Sequence, residues 1–276
     1  MKTRIITAIL LLCVFIPVLI LSHTVVFPLF LSIVSLFAVY EYIRCLGFEK
    51  DYKISLPTLF LSVALPIFST YVPKAYLSIS LFAIATVYLI YLFSSAVFMK
   101  GKQSFSSTCA VFTGVSYIVA AIVSVALLRR SFHGEYLYIL IFVGAWVTDS
   151  FAYFTGRFFG RHKLIVEISP KKTVEGSVGG IVFCVLAFLL FGFIVGKTVG
   201  VTPNYLALSL SAIPISIIAQ IGDLVFSLIK REHNVKDYGN IFPGHGGMLD
   251  RIDSIIPVSI LLYILVSVGG GFAFFV

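Results

Sequence analysis

Charge is what this chain has least of. Only 12% of its 276 residues are Asp, Glu, Lys or Arg, while 59% are hydrophobic. The mean hydropathy is +1.07. Soluble domains carry roughly twice that share of charge, so an ordinary water-soluble globule is excluded. Long polar stretches are missing too: none exceeds roughly 22 residues, too short to fold alone. The four cysteines, Cys13, Cys45, Cys109 and Cys184, form no CxxC pair, which removes a disulfide framework and a zinc site. They read as small apolar packing residues. No internal repeat is visible, which argues against a secondary transporter built from symmetric halves. A complete phosphate-binding P-loop is also absent. Gly192-Phe-Ile-Val-Gly196-Lys197-Thr198 is one residue short and does not follow a strand.

What the chain has instead is apolar runs. Stretches near the length needed to cross about 30 Å of hydrocarbon recur from end to end. Nine spans are read, at 5–22, 24–41, 55–73, 76–98, 108–128, 137–156, 176–196, 205–228 and 253–275. Tyr40, Tyr42, Tyr71, Tyr136 and Tyr205 lie near span ends, as an interfacial belt requires. Lys2 and Arg4 before the first run resemble a signal peptide, but no small-x-small cleavage site follows, so a retained span is expected. The fold class expected is therefore all-α, a polytopic integral membrane protein with its N-terminus in the cytoplasm.

The net charge of +8 invites a nucleic-acid partner, but its distribution argues against one. If nine spans alternate from a cytoplasmic N-terminus, sixteen of the 20 Lys and Arg, Lys100 and Lys102 among them, fall on the cytoplasmic side. The other four, Lys74, Arg129, Arg130 and Lys197, fall on the far side. That asymmetry is the positive-inside pattern of a cell's inner (plasma) membrane protein, and it accounts for the charge.

The halves differ in kind. Residues 1–135 hold five spans with no charge in mid-span and read as scaffold and lipid contact. Residues 136–276 hold the intramembrane carboxylates and two long polar loops, 157–175 and 229–251, both on the cytoplasmic side of the charge count. An ionised Asp at a helix centre costs about 2.5–3.5 kcal/mol on insertion scales, so such residues are candidates for function. Asp149 and Tyr153, four apart, share a face of the sixth span. The first loop gathers Ser169, Pro170, Lys171 and Lys172, with Thr173 and Gly176 set for a turn into the next span. Basic side chains at a helix entrance suit an anion. Gly176 and Gly180 place a bare stripe on the seventh span for close helix packing.

The sharpest geometry lies at the last two spans. Asp223, Ser227 and Lys230 fall on one face of the eighth span, and Asp250 and Asp253 are one turn apart at the start of the ninth. Three carboxylates and a hydroxyl offered to one point suit a hard divalent cation such as Mg²⁺. Lys230, Arg231, Lys236 and Arg251 surround them. Pro243-Gly-His245-Gly246-Gly247 lacks side chains where a backbone would approach phosphates. His245 reads equally as a donor to a triphosphate or as a brace of its loop. These residues describe a cytoplasm-facing polyphosphate and metal site, and the reaction class that fits is nucleotidyl or phosphoryl transfer to a lipid.

The run Ser227-x2-Lys230-Arg231-x4-Lys236-Asp237-x-Gly239-x2-Phe242-Pro243-x-His245-Gly246-Gly247-x2-Asp250-Arg251-x-Asp253 resembles the signature of the phosphatidate cytidylyltransferases, or CDP-diacylglycerol synthases. Asp149-x2-Ala152-Tyr153-x2-Gly156 and Ser169-Pro-Lys-Lys-Thr-Val-Glu-Gly176 resemble two further blocks of that family, so the likeness covers residues 140–255. It implies transfer of the cytidylyl group of CTP to phosphatidate, a Mg²⁺ requirement, K⁺ as a second cation, and a homodimer in the membrane. It carries Asp223, Asp250 and Asp253 over as metal-site carboxylates, with Lys230 in the catalytic set. Asp149, Lys171, Lys172, Ser227, Arg231, Lys236, His245, Gly246, Gly247 and Arg251 are then the expected substrate contacts. Phe226 departs from the pattern, because many bacterial relatives place an acidic residue there, and this bears on any second cation. The alternatives are a CTP-dependent polyprenol kinase and, more remotely, a cation-coupled transporter.

Overall fold

A computed structural model describes residues 2–98, 104–268 and 274–275. Lys100 and Lys102 of the charge count, and residues 269–273 of the ninth expected span, lie outside the described residues. In chain order the elements are α1 (Lys2–Ile20), α2 (Val26–Cys45), α3 (Tyr52–Tyr71), α4 (Lys74–Phe98), α5 (Phe105–Arg129), α6 (Gly134–Leu137) and α7 (Ile139–Phe159). There follow β1 (Lys163–Ile165), β2 (Ser169–Thr173), α8 (Val174–Val199), α9 (Tyr205–Glu232), α10 (Leu249–Ile252) and α11 (Ile255–Val268). Among the described residues seven helical segments are long and apolar enough to cross a membrane, and Ile9–Ile20 and Ile255–Val268 are shorter apolar helices. The chain is a mostly helical, multi-pass membrane protein.

The ends of several helices follow from local chemistry. Asp51 caps α3 by accepting from the Lys53 N–H at 3.2 Å. Thr173 caps α8 through the Gly176 N–H at 3.1 Å, which is the turn its spacing suggested. Asn204 caps α9 through the Ala207 N–H at 3.1 Å. Each side chain satisfies one of the orphan donors of a first turn. α8 stops at Gly200, whose φ of 79° suits a residue without a side chain. At 28 residues α9 is about 42 Å long, more than the hydrocarbon thickness and enough for its last turns, with Lys230 and Arg231, to extend beyond the apolar layer.

The chain divides into two compact units. One comprises residues 1–126 with 235–251, the other 127–234 with 252–276. The signature loop therefore packs with the N-terminal helices. In that unit Leu31, Val34, Ala38 and Val39 of α2 are buried, and Ser32 donates to the Val63 carbonyl of α3 at 2.8 Å. Thr58 and Tyr88 join α3 to α4 by a 2.7 Å hydrogen bond. The Tyr42 hydroxyl donates to the Ala110 carbonyl at 2.9 Å, its ring filling the space beside Gly114. Most of α4 is exposed and apolar, as a lipid-facing helix must be.

In the other unit α7, α8 and α9 pack closely. The glycine stripe works as its spacing suggests. A Cβ at Gly176 would stand 2.6 Å from the Ala152 carbonyl, and one at Gly180 would stand 3.1 Å from the Thr148 carbonyl. Backbone cannot give way as a flexible side chain can. Gly176→Ala is therefore expected to destabilise the unit by about 1–3 kcal/mol. The check is thermal unfolding in detergent, where an unchanged midpoint would mean that α7 and α8 can part freely. Thr148 donates to Ser216 at 3.0 Å and Gln220 to the Ser177 carbonyl at 3.3 Å, tying α9 to both neighbours.

Two local features differ from the sequence reading. Loop 157–175 is not irregular throughout, since β1 and β2 pair antiparallel within it. The ninth span does not start as helix at 253, because a turn at Asp253 and Ser254 separates α10 from α11.

Candidate active site

The expected site residues fall into two groups, one in each unit. The first group is built on α9. Asp223 and Ser227 share a face there, and the Ser227 hydroxyl donates to Asp223 Oδ1 at 3.4 Å. Lys172 arrives from β2. Its Nζ stands 2.7 Å from Asp223 Oδ2 and donates to the Gln220 carbonyl at 3.3 Å. The hairpin explains why Lys172 and not Lys171 makes this contact. Successive strand residues point to opposite faces, so Lys171 is exposed while Lys172 turns inward. Glu175 pins the hairpin by accepting from the Arg161 and His162 N–H groups at 3.1 and 3.2 Å, with the His162 ring at 2.6 Å.

Asp253 comes to the same place because α9 lacks a side chain one residue before Asp223. A Cβ on Gly222 would lie 2.8 Å from the Asp253 carbonyl oxygen and overlap Pro257. Burial first, and the Asp223 carboxylate second, push the Asp253 carboxyl well above the ordinary carboxylate range, with Lys230 opposing and Asp149 adding to the rise. Asp149 of α7 is tied to the same turn, accepting from the Ser254 hydroxyl at 2.8 Å. Asp149, Asp223 and Asp253 thus lie in one electrostatic neighbourhood with Lys172 and Lys230. Neither Gly222 nor Ser254 is among the residues expected from the sequence. Gly222 had a readable signal, as a bare position beside an intramembrane Asp.

The second group is the signature loop. Lys236, Asp237, Phe242, His245, Gly246 and Arg251 line a cavity of about 630 Å³. A sharp turn forms its wall: Phe242 N–H donates to the Gly246 carbonyl at 3.0 Å and His245 N–H to the Phe242 carbonyl at 2.8 Å. Gly244 and Gly246 have φ of 78° and 84°, which glycine alone adopts without strain. The buried Nδ1 of His245 meets no hydrogen-bond partner among the described residues. Asp250 Oδ2 accepts from the Tyr238 and Gly247 N–H groups at 2.8 and 2.9 Å, so this carboxylate braces its own loop. Arg231 lies exposed at the end of α9.

Among the described residues no three His, Cys, Asp or Glu side chains gather closely enough to hold a metal ion by themselves. Mg²⁺ does not require such a cage. It keeps several waters and is bound through one or two carboxylates together with substrate phosphates. Asp223 and Asp253, hard oxygen donors close enough to feel each other's charge, fit that pattern.

The chain matches the model of the Cytidylyltransferase family over residues 2–268. It is 35% identical over 271 residues to a phosphatidate cytidylyltransferase of Staphylococcus haemolyticus, covering 96% of this chain and 98% of the relative. A protein of that name from Staphylococcus aureus strain COL is 35% identical over 278 residues, with the same coverage of both chains. One from Bacillus subtilis is 47% identical over 122 residues, 44% of each chain.

Proposed function

We propose how the reaction runs in this chain, which belongs to the phosphatidate cytidylyltransferase family. The enzyme transfers the cytidylyl group of CTP to phosphatidate, giving CDP-diacylglycerol and pyrophosphate. A phosphatidate phosphate oxygen attacks the α-phosphorus of CTP, and the bond from that phosphorus to the bridging oxygen of the pyrophosphate breaks. The acceptor is already an anion near neutral pH, so no strong general base is needed. The difficulty is bringing two anions together, and fixed positive charge meets it.

Asp223 and Asp253 are the carboxylates that would hold Mg²⁺, and the charge of Asp250, in the signature loop, is tested separately for a part in cation binding. When bound, the ion supplies charge neutralisation on the triphosphate and on the departing pyrophosphate. Lys172 and Lys230 add positive charge beside those carboxylates, and Ser227 orients Asp223. The loop cavity receives the nucleotide. Lys236 and Arg251 face its phosphates, Gly246 allows close approach, and the unpartnered His245 Nδ1 offers one further polar contact. Lys171 and Arg231, both exposed, add positive charge that draws anionic substrates to the protein. The single observation that carries this reading is the meeting of Lys172, Asp223, Ser227 and Asp253 around α9 in a chain matched along its length by these transferases.

The charge asymmetry supports placing this chemistry on the cytoplasmic side of the plasma membrane. A homodimer belongs to the same proposal. The test is pyrophosphate release by the purified chain in detergent with CTP, phosphatidate and Mg²⁺, each omitted in turn. Release that needs all three, with a CDP-lipid product, is expected. Phosphorylation of an isoprenoid alcohol with release of CDP would instead assign a polyprenol kinase, and silence in both assays with ion flux in vesicles would assign a transporter.

A further inference from the structure

The N-terminal helices carry one group that lipid contact does not explain. Glu41, near the end of α2, is 1% exposed. A buried carboxylate is costly unless hydrogen-bonded, and an apolar residue would pack a scaffold helix as well or better. Its two oxygens are both engaged. Oε1 accepts from the Met248 N–H at 3.0 Å and Oε2 from the Leu249 N–H at 2.8 Å. Two glycines of the signature leave room for it, because a Cβ on either Gly239 or Gly247 would overlap the Glu41 carboxylate.

Further bonds run from the same helices to the same loop. The Arg44 guanidinium, one turn along α2, donates to the Tyr238 carbonyl, and the Thr7 hydroxyl of α1 donates to the Pro243 carbonyl at 3.1 Å. Asp250 holds the Tyr238 and Gly247 amides. Four loop amides, at 238, 247, 248 and 249, are thus gripped by two carboxylates, one belonging to the loop and one to α2. The cavity wall at His245 and Gly246 hangs between those grips.

We propose that Glu41 is a positioning residue for nucleotide binding, fixing the signature loop so that its cavity is formed before CTP arrives. This rests on the reading of the loop cavity as the CTP site. Glu41 itself touches no substrate. Its replacement should act on nucleotide affinity through the loop, since outer groups that orient a binding shell commonly change function by about 10–100-fold.

The experiment uses the full chain in detergent, with hydrogen exchange of residues 238–250 and steady-state kinetics read side by side. In the wild type, the Met248 and Leu249 amides should be among the slow exchangers of the loop. Fast exchange there overturns the proposal without any variant. Glu41→Gln keeps one acceptor oxygen and sets an amide NH₂ against a donor. It should raise KM for CTP by about 10-fold or more, leave KM for phosphatidate within about twofold, and lose protection only in 238–250. Glu41→Asp keeps both oxygens but draws them back by one methylene, and should give a smaller shift in the same direction. A merely structural role would lower the yield of folded chain and leave KM for CTP untouched, and that result, or wild-type KM with wild-type exchange in both variants, sinks the idea. If the wild type makes no CDP-lipid, the reading of the reaction fails, while the exchange data still decide whether Glu41 holds the loop.

Discussion

Asp223→Asn is expected to lower CDP-diacylglycerol formation by on the order of 10³-fold while leaving the chain folded in the membrane. The two side chains have the same shape, so α9 and its packing against Pro257 are undisturbed. An amide oxygen still accepts from Ser227. What disappears is one negative charge, and two things depend on it. Lys172 loses the carboxylate that holds its ammonium at 2.7 Å and is free to swing out along the hairpin. Asp253 stays raised by its burial and loses only the smaller contribution from Asp223, while a cation site with one carboxylate fewer binds a divalent ion more weakly. Asp223 is partly exposed, so its pairing with Lys172 contributes little to folding and the effect should appear in turnover, not in stability. Conversion of labelled CTP to CDP-lipid, beside helical content by circular dichroism, makes the measurement. Turnover within tenfold of wild type would remove Asp223 from the cation site. A larger loss repaired by raising the Mg²⁺ concentration would show that affinity for the ion, not geometry, is what Asp223 supplies.

The two halves of this molecule were unequally legible. Long apolar runs announce themselves, so the helices follow from composition and length, and the glycine stripe at Gly176 and Gly180 follows from spacing. Asp223, Ser227 and Lys230 could be placed on one face because helical periodicity is reliable inside a long span. The hairpin at β1 and β2 could not be anticipated. Its longer strand, Ser169–Thr173, contains a proline and two lysines and has none of the β-branched alternation that marks a strand. Without the hairpin Lys171 and Lys172 look equivalent, whereas alternation along the strand turns only Lys172 toward Asp223. Glu41 was hidden for a different reason. It stands at the end of an apolar run, where a charge is expected to meet solvent, and only tertiary contact with a loop some two hundred residues later buries it. Pairwise long-range contacts of this kind leave no local trace in one sequence.

The same contact alters what the N-terminal helices are for. Read from composition they are lipid-facing scaffold, and α4 still fits that description. α1 and α2 do more, because they supply four of the bonds that shape the signature loop. The loop's glycines then have structural reasons to be glycines before any phosphate is considered. Gly246 needs its positive φ, and Gly247 must admit the Glu41 carboxylate.

Asp250 is where bracing and chemistry have to be separated, and two substitutions do so. Its Oδ2 accepts from the buried amides of Tyr238 and Gly247. Asp250→Ala strips both bonds and leaves two buried N–H groups unsatisfied, a cost of about 2–5 kcal/mol, so the loop should loosen and the unfolding midpoint fall. Asp250→Asn keeps an oxygen that can take both amides and removes only the charge. Its loop should stay protected from exchange, with a midpoint close to wild type, and its turnover should still fall by about 10²–10³-fold if the carboxylate helps to hold Mg²⁺. Wild-type turnover in Asp250→Asn, with Asp250→Ala inactive and loose, would make Asp250 a brace alone. The cation would then rest on Asp223 and Asp253, two carboxylates completed by phosphates, which is as few as Mg²⁺ commonly accepts. The charge on Asp250 therefore decides whether this carboxylate only shapes the loop cavity or also contributes to cation binding.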